Sequence, residues 1–283
     1  MKILGIGEIV WDCLPGGRKL GGAPVNFSFY AQETGAESYP VSAVGNDELG
    51  AETLESCKSF GLCTDFIQVN AQDTSRVLVS VDDRGIPQYE IIENVAWDAL
   101  ACTPDVLSLA KSADCICWGS LAQRGVCSRN TIQALLDAAP DSCLKVFDIN
   151  IRQHYYSPEV VVASLQRADV LKLNEDELPL VLQLTGCRDI AEVIDRFGLE
   201  YLIYTCGAAF SEVYSKDGLL SHIDTPAVAV VDTVGAGDSF TAVFVTSLLQ
   251  GFRIRECHEK AVRVSALVCT KPGAIHSNLT EDV

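Results

Sequence analysis

The chain has 283 residues, of which 48% are hydrophobic and 21% are charged, and its formal net charge is −17. This composition is typical of a globular protein that can bury a sizeable core. The negative charge argues against sequence-independent binding of nucleic acid and against docking on anionic membranes, because both require a basic surface.

The cysteine pattern predicts reduced thiols. The sequence holds 12 cysteines but no Cys-x-x-Cys pair, and its 4 histidines are scattered, so no zinc framework is predicted. Most cysteines lie in apolar runs, where a free thiol acts as a small hydrophobe. We find neither a signal peptide nor a long apolar span in this sequence, and we therefore expect a cytoplasmic protein.

Short apolar runs alternate with amphipathic segments along the chain. The first run, residues 2–10, predicts a buried strand. Further predicted strands lie at residues 114–118, 144–149, 170–173 and 201–205, and predicted helices at residues 129–139, 158–168 and 190–197. Strands that alternate with helices predict a parallel sheet covered on both faces.

The segment around residues 66–93 has a different pattern. Apolar and polar residues alternate over residues 76–82 and again over residues 86–92, and Asp83-Arg84-Gly85 between them is a predicted turn. Such alternation predicts an antiparallel hairpin with one face in solvent. We therefore expect one domain over residues 1–283, with a small β lid near residues 66–97.

The first glycines, Gly5 and Gly7, begin like a dinucleotide-binding fingerprint, but Val10 stands in place of its third glycine. Both glycines also fall inside the predicted strand instead of after it. No Gly-x-x-x-x-Gly-Lys-Ser/Thr segment occurs, so a P-loop is absent from the sequence. These features argue against a nicotinamide or flavin enzyme and leave phosphate binding to another element.

A glycine pair precedes a predicted helix in Gly21-Gly22-Ala23-Pro24-Val25-Asn26. Gly22 lets the backbone approach a ligand closely, and Pro24 fits the first turn of a helix. Asn26 either binds hydroxyl groups with its donor and acceptor or is a solvated residue at a loop-to-helix junction. Asp12 follows the first predicted strand and either faces the same crevice or serves a turn.

One amide and one acidic side chain follow the predicted strand at residues 170–173. Asn174 and Glu177 have the spacing of a capping box. Their oxygens also suit a hydrated Mg²⁺ ion. The two interpretations are compatible, because a capped helix start at the crevice also presents the acid.

Arg152 follows another predicted strand, in the segment Asp148-Ile-Asn150-Ile-Arg152. Its guanidinium offers forked donors to a phosphate, a carboxylate or a sugar oxygen. It could equally form a structural ion pair with Asp148 or Glu177, and the sequence leaves both hypotheses open.

The segment Asp232-Thr-Val-Gly235-Ala236-Gly237-Asp238 is a glycine turn before an apolar run. The run has helical spacing, at Phe240, Val243, Phe244 and Leu248. The turn therefore opens a predicted helix whose unpaired N–H groups can bind an anion. Asp238 is either an N-cap or a functional carboxylate.

Together these segments resemble the PfkB (ribokinase-like) family of carbohydrate kinases over essentially the whole chain. The motifs are Gly-Gly-Ala-Pro-x-Asn, Asn-x-x-Glu and Asp-Thr-x-Gly-Ala-Gly-Asp-x-Phe, in that order. The resemblance implies an α/β fold, a ribokinase-like three-layer sandwich with a mostly parallel sheet and a small β-sheet lid, whose elements lie near residues 11–20 and 66–97. It also implies phosphorylation of a small sugar by ATP with Mg²⁺, and a homodimer formed through the lid.

The resemblance assigns roles to particular residues. Asp238 is implied to be the base that takes a proton from the sugar hydroxyl. The implied anion hole is Gly235, Ala236 and Gly237; the implied sugar ligands are Asp12, Gly22, Asn26 and Arg152; Asn174 and Glu177 are implied to organise Mg²⁺ and the phosphates, with Glu177 acting on Mg²⁺ through water.

The nucleotide side is implied by shorter matches. Thr205 and Gly207 match a motif along the nucleotide cleft, although Phe210 replaces its second glycine, and Gly273 lies in a loop matched beside the adenine. The resemblance also allows a monovalent cation such as K⁺. Its implied ligands are the backbone carbonyls of Asp232, Val234 and Gly273, with Ser277.

Within the family, residues 7–12 and the Gly-Gly-Ala-Pro-x-Asn motif resemble the fructokinase branch, so fructose is the expected substrate. The main alternative is 2-keto-3-deoxygluconate kinase, which shares Asp-x-Asn-x-Arg. Those enzymes usually have Tyr-x-Arg in the lid, whereas this chain has Tyr89-Glu90-Ile91, and an acidic side chain there disfavours a sugar acid. A sugar-binding regulator without catalysis would be expected to have lost Asp238.

Overall fold

The computed structural model describes residues 1–14, 17–81 and 87–280. In chain order the strands are β1 (Lys2–Ile6), β2 (Val10–Leu14), β3 (Gly17–Gly21), β4 (Glu37–Gly45), β5 (Ile67–Asn70), β6 (Arg76–Val81), β7 (Pro87–Ile91), β8 (Cys115–Trp118), β9 (Leu144–Asp148), β10 (Val170–Asn174), β11 (Tyr201–Cys206), β12 (Phe210–Ser215) and β13 (Gly218–Asp224). The α-helices are α1 (Ala23–Glu33), α2 (Glu48–Ser59), α3 (Pro104–Ala110), α4 (Val126–Ala138), α5 (Pro158–Leu165), α6 (Glu177–Thr185), α7 (Ile190–Phe197), α8 (Ala236–Leu249) and α9 (Ile254–Val268).

The large sheet has the strand order β13-β12-β11-β10-β9-β8-β1-β4-β5. Its pairs are parallel from β11 through to β5, and β12 and β13 add an antiparallel edge. One cluster of buried side chains joins this sheet to helices α3 to α7, and a second joins it to α1, α8 and α9. The predicted three-layer α/β fold with a mostly parallel sheet is therefore confirmed.

Local sequence signals explain where helices begin. Pro158 opens α5 directly after Ser157, whose Oγ accepts a hydrogen bond from the N–H of Val160 at 3.3 Å. Asp189 caps α7 in the same way by accepting from the N–H of Glu192 at 2.9 Å. These side chains satisfy N–H groups that a helix start leaves without a backbone partner.

The prediction of one strand over residues 2–10 is wrong. β1 ends at Ile6, Gly7 follows with a φ of 150°, and Val10 begins β2 in a different sheet. Gly7 therefore lies after the strand, not inside it. The apolar run continues across the break because Ile9 and Trp11 are buried where the chain passes from one sheet to the other.

The small sheet has the order β3-β2-β6-β7 and forms the lid. The predicted hairpin is confirmed as the antiparallel pair β6–β7, in which Val77 lies opposite Ile91; its turn at Asp83–Gly85 lies outside the described residues. The lid sheet is mixed, because β2 and β6 pair in parallel. Trp11 anchors the lid to α2 by donating its indole N–H to Thr53 Oγ1 at 2.8 Å.

The described residues include all twelve cysteines, and none of them forms a disulfide. Cys115 and Cys117 are buried in β8, as the apolar-run interpretation predicts. No helix in the described ranges has the length and apolar character needed to cross a membrane.

Candidate active site

A cleft of about 560 Å³ lies at the carboxyl ends of the central strands, under the lid. Open α/β sheets bind ligands at this edge. The structure brings most of the predicted site residues together around this one cavity. Among those lining it are Asp12, Gly22, Asn26, Arg152, Asn174, Glu177, Val234, Gly235, Gly237 and Asp238.

The predicted glycine turn opens α8. Gly235 is the N-cap residue, with a φ of 79°, and a Cβ at this position would lie 2.7 Å from the Cβ of Ala274. Only glycine fits both this left-handed backbone and this packing. The amide groups of Ala236 and Gly237 belong to the first turn of α8, where helix N–H groups lack intrahelical partners. The N–H of Ala236 donates to the carbonyl oxygen of Thr233 at 3.3 Å, within the turn itself.

Asp238 lies in the first turn of α8 but does not cap it, because the cap position belongs to Gly235 and carries no side-chain hydrogen bond. The carboxylate Oδ2 instead accepts from Asn26 Nδ2 at 2.8 Å. Burial raises the pKa of Asp238 to about 6, and the nearby Asp148 carboxylate adds to the rise. The N-cap interpretation is therefore wrong, and the carboxylate is set toward the cleft.

Asn26 is not a solvated residue, because only 2% of it is exposed. Its amide nitrogen is bonded to Asp238, whereas its Oδ1 has no hydrogen-bond partner among the described residues. A buried acceptor without a partner destabilises a protein unless a ligand or water supplies a donor. This geometry supports the hypothesis that Asn26 binds a hydroxyl group.

Asp12 lies within β2 of the lid and not directly after the first strand of the main sheet, which corrects its predicted placement. It is partly buried, and burial raises its pKa while the charge of Arg152 opposes the rise. The carboxylate still lines the cleft, so it reaches the crevice from the lid. Gly22 lies between the lid strand β3 and helix α1, where a Cβ would be 2.4 Å from the carbonyl oxygen of Glu8.

Asn174 and Glu177 make the hydrogen bonds of a capping box. Asn174 Oδ1 accepts from the N–H of Glu177, and Glu177 Oε2 accepts from the N–H of Asn174, both at 2.9 Å. Glu177 Oε1 also accepts from the N–H of Ile151 at 2.8 Å. The carboxylate therefore joins the ends of two strands at the cleft, and each of its oxygens keeps a second lone pair.

This donor set fits a hydrated Mg²⁺ ion. Carboxylate and amide oxygens are the ligands that Mg²⁺ prefers, and Mg²⁺ commonly keeps several waters and binds substrate phosphates. The described residues contain no group of three His, Cys, Asp or Glu side chains able to hold a metal. The geometry suits an ion held through water and substrate better than one held in a protein cage.

Arg152 is exposed beside the cleft. Its guanidinium Nη1 donates to the carbonyl oxygen of Ile151 at 3.1 Å, and within the described ranges the structure gives it no ion pair with Asp148 or Glu177. The structural ion-pair hypothesis is therefore wrong. Its neighbours Asn150 and Gln153 have φ values of 44° and 49°. Non-glycine residues rarely adopt this backbone, which concentrates at functional sites.

Two candidate site residues were missed by sequence reasoning, and both are charged residues within apolar runs. Lys172 lies in the middle of β10, is 7% exposed, and pairs with Asp148 at 3.2 Å. Glu8 is 5% exposed, and burial raises its pKa to about 7. Both line the cleft beside Asp238. A charge in an apolar strand was the signal that could have identified them.

The predicted nucleotide residues lie outside the lining of this cleft. Thr205 is near the end of β11, and its Oγ1 donates to the carbonyl oxygen of Leu173 at 3.4 Å. Gly207 follows with a φ of 45°, and its carbonyl oxygen accepts from Thr225 Oγ1 at 2.9 Å. Phe210, which replaces the second glycine, is the first residue of β12.

The loops proposed for a monovalent cation are joined directly. Asp232 Oδ2 accepts from the N–H of Gly273 at 2.8 Å and lies 3.7 Å from the ammonium of Lys19 in the lid. The carbonyl oxygen of Gly273 lies 2.9 Å from His276 Nε2. The side chain of Lys19 therefore lies beside Asp232, and that of His276 contacts the carbonyl oxygen of Gly273. The other two proposed cation ligands, Val234 and Ser277, are exposed.

Comparison with known proteins gives one consistent result. The model of the family described as pfkB family carbohydrate kinase matches residues 13–281. Fructokinase of Escherichia coli is 29% identical over 293 residues, which cover 97% of this chain and 95% of that protein. Among solved structures, a fructokinase of Xylella fastidiosa with bound ATP has a TM-score of 0.82 at 24% identity, covering 96% of this chain and 93% of that one. The fructokinase of Vibrio cholerae O395 in fructose-, ADP- and calcium-bound form has a TM-score of 0.81 at 23% identity, covering 98% and 95%.

Proposed function

Because the chain belongs to the PfkB family of carbohydrate kinases, we propose that it transfers the γ-phosphoryl group of ATP to a hydroxyl of a small ketose, with fructose as the first candidate. The single observation that carries this proposal is the pairing of Asp238 with Asn26 on the cleft floor, at 2.8 Å. It sets a carboxylate beside the glycine turn that opens α8.

In the proposed reaction, Asp238 accepts the proton of the sugar hydroxyl. The hydroxyl oxygen then forms a bond to the γ-phosphorus as the bond to the bridging oxygen breaks and ADP leaves. Phosphoryl transfer depends mainly on positioning and charge stabilisation, with little covalent work for the protein. In this proposal the N–H groups of Gly237 and Ala236 bind the equatorial oxygens, and the N–H of Ala236 then shares its proton with the carbonyl oxygen of Thr233, 3.3 Å away.

Mg²⁺ would be held by the phosphates and, through water, by Glu177, and when bound it neutralises phosphate charge. Glu177 itself joins the end of β10 to the segment that follows β9, through its bonds to the N–H groups of Asn174 and Ile151. Related structures support nucleotide use, because the Xylella fructokinase has bound ATP and the Vibrio fructokinase has bound ADP.

The charge of the cleft favours a neutral sugar. Its lining carries the four carboxyl groups of Glu8, Asp12, Glu177 and Asp238, against the two cations Arg152 and Lys172. The relatives named fructokinase support a ketose. One observation supports the second candidate, 2-keto-3-deoxygluconate: Arg152 has no ion pair within the described ranges and could bind a carboxylate.

The proposal is tested by measuring ADP release with fructose, other ketoses, ribose and 2-keto-3-deoxygluconate. We expect fructose to give the highest kcat/KM and the reaction to stop when Mg²⁺ is chelated. An equal or higher value for the sugar acid would replace fructose with the second candidate. Absence of turnover with every sugar would overturn the proposal.

We also propose that the protein works in the cytoplasm as a homodimer joined through the lid. The lid exposes Leu78, which has 41% of its surface accessible on β6. Light scattering of the purified protein tests the assembly, and a mass near the single-chain value of 30.5 kDa would contradict it.

A further inference from the structure

We propose that Lys172 is a phosphate-binding residue of this cleft, whose ammonium group contacts the phosphoryl group as it passes between nucleotide and sugar. The inference rests on the proposed phosphoryl transfer and adds a residue that none of the recognised motifs includes.

The position of Lys172 is the first support. The residue lies in β10 and lines the same cavity as Asp238. A Cβ on Gly237 would be 2.9 Å from Lys172 Nζ. The ammonium therefore lies directly against the second glycine of the turn, on the side where a Cβ would project.

Its surroundings hold the ammonium in place. Lys172 Nζ donates to Asp148 Oδ1 at 3.2 Å, and 9% and 8% of the two side chains are exposed. The other oxygen of Asp148 accepts from Thr241 Oγ1 at 2.9 Å, one turn after Asp238 in α8. An ammonium has three N–H donors, and the described structure gives this one a single carboxylate partner.

The negative charge around Lys172 is the third support, because a phosphoryl group there needs a compensating cation. Asp148, Glu177 and Asp238 all raise its pKa against the opposing effect of burial. These same carboxylates would repel a phosphoryl group. A helix N-terminus supplies only about half an elementary charge, so the glycine turn alone does not offset them. In P-loop enzymes a lysine of the loop supplies this charge, whereas here it comes from a strand.

A purely structural role is the competing explanation. A buried ion pair between β9 and β10 could exist only to satisfy Asp148, and removing one partner would then destabilise the fold by leaving a buried charge unpaired. The two explanations differ in what they predict for nucleotides with and without a γ-phosphate. If Lys172 contacts the phosphate, its loss weakens the binding of a nucleotide with a γ-phosphate more than the binding of one without. If its role is purely structural, the two affinities change equally.

The experiment measures the affinity of AMP-PNP and of ADP by calorimetry, each with Mg²⁺, for the wild type and for Lys172→Met. We expect the variant to lose about 10- to 100-fold in affinity for AMP-PNP and less than about 3-fold for ADP. In the kinase assay, kcat should fall about 100- to 1000-fold with little change in the KM of the sugar. Lys145→Met, on the adjacent strand β9 and away from the cleft, is the matched control.

Equal weakening of both nucleotides, or no weakening of either, would overturn the inference. If K172M does not fold, the double variant Asp148→Asn with Lys172→Met removes both buried charges and is compared with D148N alone. The binding assay needs no sugar turnover. Failure of the proposed kinase activity and failure of this inference are therefore distinguishable.

Discussion

Asp238 is held by contacts that act on its charge in opposite directions. Burial raises its pKa to about 6 and the Asp148 carboxylate adds to the rise, while the hydrogen bond from Asn26 lowers it. A general base must be deprotonated to act, so this raised pKa places the loss of activity at a higher pH than an ordinary aspartate would.

The first prediction follows from the Asn26 contact. We expect kcat/KM of the wild type to fall below about pH 6, and the fall to move upward by about half to one pH unit in Asn26→Ala, because that variant loses a bond that favours the charged carboxylate. The measurement is the pH profile of kcat/KM normalised to its maximum. Asn130→Ala, on the exposed surface of α4, should keep the wild-type profile. An unchanged acid limb in N26A would contradict the assignment.

The same pKa shift has a consequence for stability. Because the folded-state pKa lies above the ordinary value of 3.8, the unfolded chain ionises more readily and the charged carboxylate opposes folding above about pH 6. This penalty decreases as the pH falls from about 6 toward 4. The charged Asp238 carboxylate therefore lowers the stability of the fold at neutral pH, which is the cost of burying it in the cleft.

At the scale of elements, the glycine turn before α8 depends on one backbone conformation. Gly235 has a φ of 79°, and a Cβ there would lie 2.7 Å from the Cβ of Ala274. Gly198 has a similar φ of 67° at the end of α7 but has nothing within 4 Å of its Cβ position. The two glycines share a left-handed backbone that an L side chain would strain, and they differ in packing, because only Gly235 belongs to the lining of the cleft.

We therefore predict that Gly235→Ala lowers kcat at least about 100-fold and destabilises the protein by roughly 2–4 kcal/mol, because the turn must move. Gly198→Ala should lose only about 1 kcal/mol and keep its kcat. Urea unfolding and steady-state kinetics of both variants provide the measurement. A G235A enzyme with normal turnover would show that the turn does not form an anion hole.

The elements also show where sequence patterns succeed. Periodicity predicts α7, which buries Val193 and Ile194, and the β6–β7 hairpin, in which Val77 and Ile91 are buried and Leu78 and Glu90 are exposed. It fails at Gly7, because Ile9 and Trp11 remain buried while the chain changes sheets. An apolar run indicates that its residues are buried, but it does not indicate which sheet they belong to.

At the scale of the whole molecule, the formal charge of −17 opposes the approach of a nucleotide. A neutral sugar does not experience this field. Salt screens such repulsion, with a Debye length of about 8 Å at physiological ionic strength.

We predict that kcat/KM for MgATP rises about 2- to 3-fold when ionic strength is raised from about 0.01 to 0.15 M with tetramethylammonium chloride. The value for fructose should stay constant, and it serves as the internal control. The organic cation avoids confusing screening with binding of K⁺ near Asp232. A fall in kcat/KM for MgATP would show that a local positive field at the cleft outweighs the global charge.

The motifs located most of the site, but the sequence could not show which residues they contact. Asp148, Lys172 and Thr241 lie up to 93 positions apart and form one buried network. No periodic pattern relates them, because the network depends on the order of β9 and β10 in the sheet and on where α8 crosses it. The Asn26–Asp238 bond, across 212 positions, is of the same kind.

The most direct test of the account is the turnover of Asp238→Asn, measured as ADP release with fructose at saturating MgATP. The account predicts a fall in kcat of about 1000-fold or more, because the amide cannot accept the hydroxyl proton. Fructose and AMP-PNP should still bind, and the melting temperature at pH 7 should stay equal or rise, because a buried charge is removed. A folded variant that keeps more than about a tenth of the wild-type kcat would contradict the central claim that Asp238 is the base.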